Sequence, residues 1–287
     1  MFNDIKLLIK GPVLVANVLP VFSGFWLAVV LNGHSFAGLW AEFLLTIAGS
    51  TLVMAGALAL NNWYDVDIDR IMERTKKRPT VTGHFSLKTV LVTGLALSVI
   101  GHILLLFVSL EATLYALLGW VTYVLLYTMW SKRRYTLNTV IGSISGAVPP
   151  MIGWTAIEPG FQLVPIILFL ILFLWQMPHT FAIAIRKHDE YKAAGVAMLP
   201  VVHGVAITKR QIFIYSLCLL PLPFYLIQLG SVFIGLATLL NIGFLAIAVQ
   251  GFFAKNNLKW ARVLFLYSVN YIMIIFLMMI IVTLPIF

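Results

Sequence analysis

The chain has 287 residues, 61% of them hydrophobic and 10% charged, where soluble domains carry roughly 45–50% and about 25%. With mean hydropathy at +1.01, a water-soluble globule is excluded. The net charge of +9 raises nucleic acid as a partner only until the charges are placed along the chain.

Apolar runs near twenty residues long predict nine helical spans, at about 12–31, 38–62, 87–108, 112–130, 136–156, 161–185, 210–228, 231–253 and 261–285. Such runs cross the ~30 Å of hydrocarbon at ~1.5 Å per helical residue. A barrel is excluded, because its strands would alternate apolar and polar over about ten residues. The first run begins after Lys6 and Lys10 and looks superficially like a signal peptide, but it is long and ends in no small-x-small site, so it is read as a retained helix. The fifth run holds Gly142, Gly146, Pro149, Pro150 and Gly153 and is expected to be irregular. Cys218, the one cysteine, lies inside the seventh, which rules out a disulfide framework or thiolate metal site. No soluble domain or low-complexity tract interrupts the spans, so residues 1–287 are read as one integral membrane domain.

The connections alternate in charge. All 19 Lys and Arg fall in segments on one side, which the positive-inside rule makes cytoplasmic, with the N-terminus inside and the C-terminus outside. The basic residues thus set topology and attract anionic lipid, and with no basic domain attached there is no nucleic-acid partner. Six of the ten acids, Asp65, Asp67, Asp69, Glu73, Asp189 and Glu190, lie in the two long connections of that side, about 63–86 and 186–209. Carboxylates gathered at a membrane surface point to function.

From the end of the second span into the first connection, Asn61, Asp65 and Asp69 are spaced four apart. At about 100° per residue they share one helix face, while Asp67 falls near ~240°, beside Arg70 and Arg74, and is read as structural. Two carboxylates ~6 Å apart repel by roughly 3 kcal/mol at an effective dielectric of about 20, so a bare acidic face calls for a cation. Oxygen ligands suit Mg²⁺, which bridges carboxylates to substrate phosphates. Arg70, Arg74, Lys76, Lys77 and Arg78 follow, with Pro79 expected to stop any helix, and guanidinium groups chelate phosphate oxygens. Carboxylates for a metal followed by cations for phosphate describe a metal-diphosphate site. The plain alternative is an exposed network of acids paired with bases.

Asn61-x-x-x-Asp65-x-x-x-Asp69 resembles the first aspartate-rich motif of the UbiA superfamily of intramembrane prenyltransferases. Arg74-Thr-Lys-Lys-Arg78-Pro79, Ser143-Ile-Ser-Gly-Ala-Val-Pro-Pro150-Met-Ile-Gly-Trp154, Trp175-Gln-Met-Pro-His179 and Ala194-Gly-Val-Ala-Met-Leu-Pro200 are similar to the protoheme IX farnesyltransferase (heme O synthase) family within it. The resemblance implies a UbiA-like all-α bundle of about nine transmembrane helices around a central intramembrane cavity. It implies a Mg²⁺-dependent transferase that joins the farnesyl group of farnesyl diphosphate to a vinyl group of heme B, with water added, giving heme O and diphosphate for terminal-oxidase biogenesis. Carried onto this chain, Asn61, Asp65 and Asp69 are the catalytic and metal residues, and Arg74 and Arg78 bind diphosphate. Lys132 and Arg133 are read as topology anchors or as diphosphate ligands. His179 is the heme-binding candidate, and a heme-modifying or oxidase-assembly protein is the candidate partner.

Many UbiA relatives carry two aspartates four apart in the second connection, whereas this chain has Arg186-Lys187-His188-Asp189-Glu190-Tyr191-Lys192. Asp189 and Glu190 form a second acidic loop of weaker character. An internal echo favours Glu190, since Asp69 and Glu190 each precede a Pro-x-Val-x-Gly run, Pro79 to Gly83 and Pro200 to Gly204, by ten residues. Tyr123, Tyr127, Trp63, Trp130 and Trp154 are read either as carbocation shields or as interfacial anchors. The competing functions are a UbiA-type enzyme acting on an aromatic quinone precursor and a secondary transporter. A transporter should hold ionisable groups near the bilayer midplane, and here nearly all lie on one face.

Overall fold

Apolar runs become helices throughout. The computed structural model describes residues 2–284, and among them there is no strand. A short α1 (Phe2–Leu8) leads into α2 (Gly11–Leu31), followed by α3 (Trp40–Tyr64), α4 (Val66–Ile71), the one-turn α5 (Pro79–Thr82), α6 (Leu87–Leu106) and α7 (Leu110–Val121). The last continues unbroken as a π-helix over Thr122–Ser131. Then come α8 (Asn138–Ala147), α9 (Pro149–Thr155), α10 (Leu163–Arg186), α11 (His188–Ala193), α12 (Leu199–Val202), α13 (Gly204–Cys218), α14 (Gly230–Phe253) and α15 (Asn257–Ile281).

Among the described residues eight helical stretches are long and apolar enough to cross a membrane. The fifth expected span is present as two pieces, α8 and α9. Pro149 and Pro150 have no N–H, so the carbonyls one turn earlier lose their helical donors. Val148 between the pieces keeps right-handed helical angles, φ −69° and ψ −28°, so the chain continues in the same direction across the break.

Three boundaries differ from the sequence reading. The seventh span begins at Gly204 and not near 210, because Lys209 is accommodated inside the helix with its ammonium 5.5 Å from the Trp260 ring centre. Its regular part ends at Cys218, where Pro221 and Pro223 divert the chain into 3₁₀ turns at Leu222–Tyr225 and Ile227–Leu229. The ninth starts at Asn257, capped by the Asn256 side chain, which accepts from Lys259 N at 2.9 Å. Its expected last residue, 285, and the expected external C-terminus lie outside the described residues.

Lipid offers helices little hydrophobic reason to associate, so close backbone approach carries the packing. A Cβ on Gly153 of α9 would lie 1.9 Å from Val21 O of α2, a contact only glycine permits. Elsewhere α3 packs on α6, and α10 packs on α8, α13 and α15. The first and last spans meet, with Trp26 Nε1 donating to Thr283 Oγ1 at 2.9 Å. Outward residues such as Val92 and Val99 of α6 are each 57% exposed, an apolar surface suited to lipid. Inside, α2, α3, α7, α8, α9 and α10 surround a central cavity.

Candidate active site

The i,i+4 hydrogen bonding that makes α3 does not stop at its end. Asp65 N donates to Asn61 O at 3.0 Å and Asp69 N to Asp65 O at 2.8 Å, so the three motif residues keep a common face across the kink into α4. All three are buried. Asn61 Nδ2 donates to Asp65 Oδ2 at 2.8 Å and to Thr128 Oγ1 at 3.0 Å. Asp67 points the other way, its side chain 61% exposed and gripped by both terminal nitrogens of Arg133 at 2.7 and 2.8 Å.

The acidic face is not bare, contrary to the expectation above. Lys132 donates to Asp65 Oδ2 and Arg78 to Asp69 Oδ2. Arg78 reaches back because the chain turns after α4, where Thr75 Oγ1 donates to Asp69 O at 3.0 Å. Pro79 then begins α5 where it was expected to end a helix, since at the first helical position its missing N–H costs nothing. Asp65 Oδ1 is buried and accepts no hydrogen bond, and an Arg133 terminal nitrogen lies 3.7 Å from it.

Asn61, Asp69, Arg74, Arg78 and Lys132 line a cavity of about 210 Å³ together with Lys10, Tyr123, Tyr127 and Tyr191. Lys10 and Tyr191 had no expected place in the site, while Tyr123 and Tyr127 were read as carbocation shields or interfacial anchors. Lys10 Nζ donates to Asn61 Oδ1 and, at 3.3 Å, to Tyr123 Oη. Tyr123 and Tyr127 stack with ring centres 5.7 Å apart on the π-helical stretch, whose wider turn is marked by Lys132 N donating to Tyr127 O five residues earlier. Arg74 Nη2 reaches Tyr191 Oη of α11 at 3.5 Å, and burial pushes the Tyr191 hydroxyl above the usual phenol range.

Val13, Leu58 and Tyr123 also border a second, mainly apolar cavity of about 190 Å³ that runs on between α2, α3, α7 and α8 to Gln176. Gln176 Nε2 donates to Ser143 O at 3.2 Å, and a Cβ on Gly146 would collide with its Oε1 at 2.1 Å. A charged cavity and an apolar one therefore lie side by side, sharing the wall made by Val13, Leu58 and Tyr123.

Other expected residues lie apart. Arg133 does not line the cavity and is committed to Asp67, whose carboxyl its hydrogen bonds hold below the usual range. The Asp189 side chain is fully exposed, paired with His188 at 2.9 Å. Glu190 accepts from Lys187 at 2.6 Å through Oε1, while Oε2 is buried without a partner. His179 faces α15, its Nδ1 2.8 Å from Ser268 Oγ and its ring stacked on Trp175 and tilted against Phe265. Trp130 packs on Tyr135 at the surface and Trp154 is buried with its indole on Pro159 O, so of the five aromatics only Tyr123 and Tyr127 reach the charged cavity.

The model of the UbiA prenyltransferase family matches residues 17–269. A protoheme IX farnesyltransferase of Oceanobacillus iheyensis is 57% identical over 99% of this chain and 91% of its own length. Protoheme IX farnesyltransferase 2 of Bacillus subtilis is 50% identical over 99% and 93%. Among solved structures, a digeranylgeranylglyceryl phosphate synthase superposes with TM-score 0.78 at 18% identity, over 98% of both chains. A UbiA homologue from Archaeoglobus fulgidus bound to DMAPP and Mg²⁺ does so with 0.70 at 16%, over 94% of this chain and 99% of its own. With the fold shared and half or more of the residues common to full-length relatives, the chain belongs to the UbiA prenyltransferase family.

Proposed function

We propose that the protein transfers the farnesyl group of farnesyl diphosphate to a vinyl group of heme B, with water added, giving heme O and diphosphate. The observation that carries this reading is the wall shared by the two cavities, Val13, Leu58 and Tyr123, which sets a cation-rich space suited to a diphosphate beside an apolar one suited to a prenyl tail. Homologues named for this reaction share the whole length of the chain, and a fold neighbour was solved with a prenyl diphosphate and Mg²⁺.

The residues fit a magnesium ion. Asp65 Oδ1 is a buried carboxylate oxygen without a hydrogen bond, behind the cavity that Asn61 and Asp69 line, and Asn61 Oδ1 and the Asp69 carboxylate are the further oxygen ligands on that face. Among the described residues no three His, Cys, Asp or Glu side chains gather, which suits an ion completing its shell from substrate oxygens. Bound there, Mg²⁺ would neutralise charge on the departing diphosphate. Arg74, Arg78 and Lys132 bind phosphate oxygens and stabilise the negative charge that grows as the allylic C–O bond ionises. The stacked Tyr123 and Tyr127 present aromatic faces beside that carbon and exclude bulk water. The vinyl terminus then bonds to farnesyl C1, and water adds to the neighbouring carbon with loss of a proton.

His179 is our candidate heme contact: its Nδ1 is held by Ser268, which fixes the ring and makes Nε2 the nitrogen that would meet iron. We also place the basic end on the cytoplasmic side by the positive-inside rule.

The test is mass spectrometry of heme extracted after incubating the purified protein in lipid with heme B, farnesyl diphosphate and Mg²⁺. The expected product is heavier by one farnesyl and one water and is lost with EDTA. Unchanged heme from folded protein would redirect the assignment to an aromatic acceptor.

A further inference from the structure

Among the described residues Lys10 is the one non-glycine residue with positive φ, at φ 48° and ψ 54°. L residues adopt this left-handed conformation rarely, and when surrounding structure enforces it there is a reason to look for function. Two contacts enforce it. Leu8 is buried with Ala59 and Val90, and Asn62 Nδ2, next to the motif, donates to Leu8 O at 2.7 Å and Leu7 O at 3.4 Å. The kink between α1 and α2 sends the Lys10 side chain into the charged cavity.

There it meets a specific conflict. Both polar ends of the Asn61 amide are engaged, Nδ2 by Asp65 and Thr128 and Oδ1 by Lys10 Nζ. Only Oδ1 can ligate a metal, and an ammonium on that atom opposes a cation arriving alone. Lys132 on Asp65 and Arg78 on Asp69 pose the same obstacle. We propose that Lys10 is a diphosphate-binding residue that exchanges partners, releasing Asn61 Oδ1 to the metal as its ammonium moves to a phosphate oxygen. The inference rests on the metal-diphosphate reading above and adds to it an order of events: metal and diphosphate enter as a coupled pair. Lysine suits the exchange, since its ammonium is a point charge with three donors on a flexible stem, and Tyr123 Oη, 3.3 Å away, is a second acceptor beside Asn61.

The experiment uses the full chain in lipid nanodiscs, with Mn²⁺ followed by electron paramagnetic resonance and inorganic pyrophosphate as the anion. In the unsubstituted protein pyrophosphate should tighten Mn²⁺ binding at least about tenfold. In Lys10→Met, Mn²⁺ alone should bind about tenfold tighter, and pyrophosphate alone about tenfold weaker, the scale of one lost charge-assisted hydrogen bond. The coupling between the two shrinks accordingly. Lys10→Arg should hold pyrophosphate within about threefold of the original. Should Lys10→Met fail to fold, Lys10→Leu, which likewise leaves Asn61 Oδ1 without a donor, carries the same expectation. Unaltered coupling in the folded variants, or weaker binding of Mn²⁺ alone, overturns the role of Lys10. Absence of any Mn²⁺–pyrophosphate binding in the unsubstituted protein overturns the reading of the site itself and this inference with it.

Discussion

After α3 the chain makes a short helix, a turn and a one-turn helix that Pro79 begins and Gly83 ends at φ 80°. After α10 it makes another short helix, a turn through Gly195 and a one-turn helix with Pro200 in its first turn, followed by Gly204, also at φ 80°. Asp69 and Glu190 occupy matching places, each ten residues before the proline. Their chemistry has diverged. In the first loop Asp65 and Asp69 are buried against Lys132 and Arg78, whereas in the second Asp189 stands in solvent and Glu190 is tied to its own helix by Lys187. What the second loop gives the site is Tyr191, against Arg74. It also gives Val196 and Met198, which pack with Ile68 and Met72 of the first loop. A shared backbone device fixes where the loop residues sit, and side chains alone decide which loop handles charge and which supports it.

The sharpest way to break this division is to neutralise matched acids. Asp65→Asn and Asp69→Asn should each lower heme O turnover by about 10²–10³, the scale of losing one preorganised electrostatic contact in an active site. Glu190→Gln should stay within about threefold and Asp189→Asn should be silent. Equal losses for Asp69→Asn and Glu190→Gln in initial rates at saturating farnesyl diphosphate would mean that the second loop also holds charge in the reaction.

A smaller effect separates support from catalysis. Tyr191→Phe removes the hydroxyl that receives Arg74 and leaves the ring in the apolar cluster. The KM for farnesyl diphosphate should rise about three- to tenfold, as expected for one hydrogen bond, with kcat nearly unchanged. A fall in kcat at constant KM would place Tyr191 in the chemical step and move the second loop from support to catalysis.

The parts of this arrangement that were legible in sequence are local ones. Apolar runs give the spans, and a spacing of four puts Asn61, Asp65 and Asp69 on one face because the i,i+4 hydrogen bonds persist through Asp65. Asp67 falls outside by the same geometry. Lys10 was not legible: it lies 51 residues from Asn61, reads as a topology charge, and reaches the site only through a left-handed turn that Asn62 stabilises across the fold. The adjacent Asn61-Asn62 pair was its one faint signal. Tyr123 and Tyr127 were named without a place because π-helical winding alters which residues align, and no residue type announces it. Gln176 sat inside a recognised motif, yet which side of α10 meets the apolar cavity and which meets α15 depends on packing; there His179 and Gln176 part company. Arg133 shows the same limit from the other side. A cation next to Lys132 suggests phosphate, and the structure commits it to Asp67.

The smallest expected effect is therefore at Asp67, and it tests the face argument from its quiet side. Its carboxyl is held below the usual range by the hydrogen bonds from Arg133, so its folded pKa lies under its unfolded one. The pair's contribution to stability is present above about pH 4 and is lost as pH falls through the folded pKa. Because the Asp67 side chain is 61% exposed, that contribution stays below about 1 kcal/mol. Asp67→Asn should shift the unfolding midpoint slightly at pH 7, and the difference from the parent should shrink as pH falls through the lowered folded pKa and the parent loses the same contact. Turnover should stay within about twofold, since Asp67 points away from the other motif residues and neither it nor Arg133 lines the charged cavity. A loss of turnover matching that of Asp65→Asn would mean that Asp67 serves the reaction through Arg133, and that the two sides of α4 are not separate.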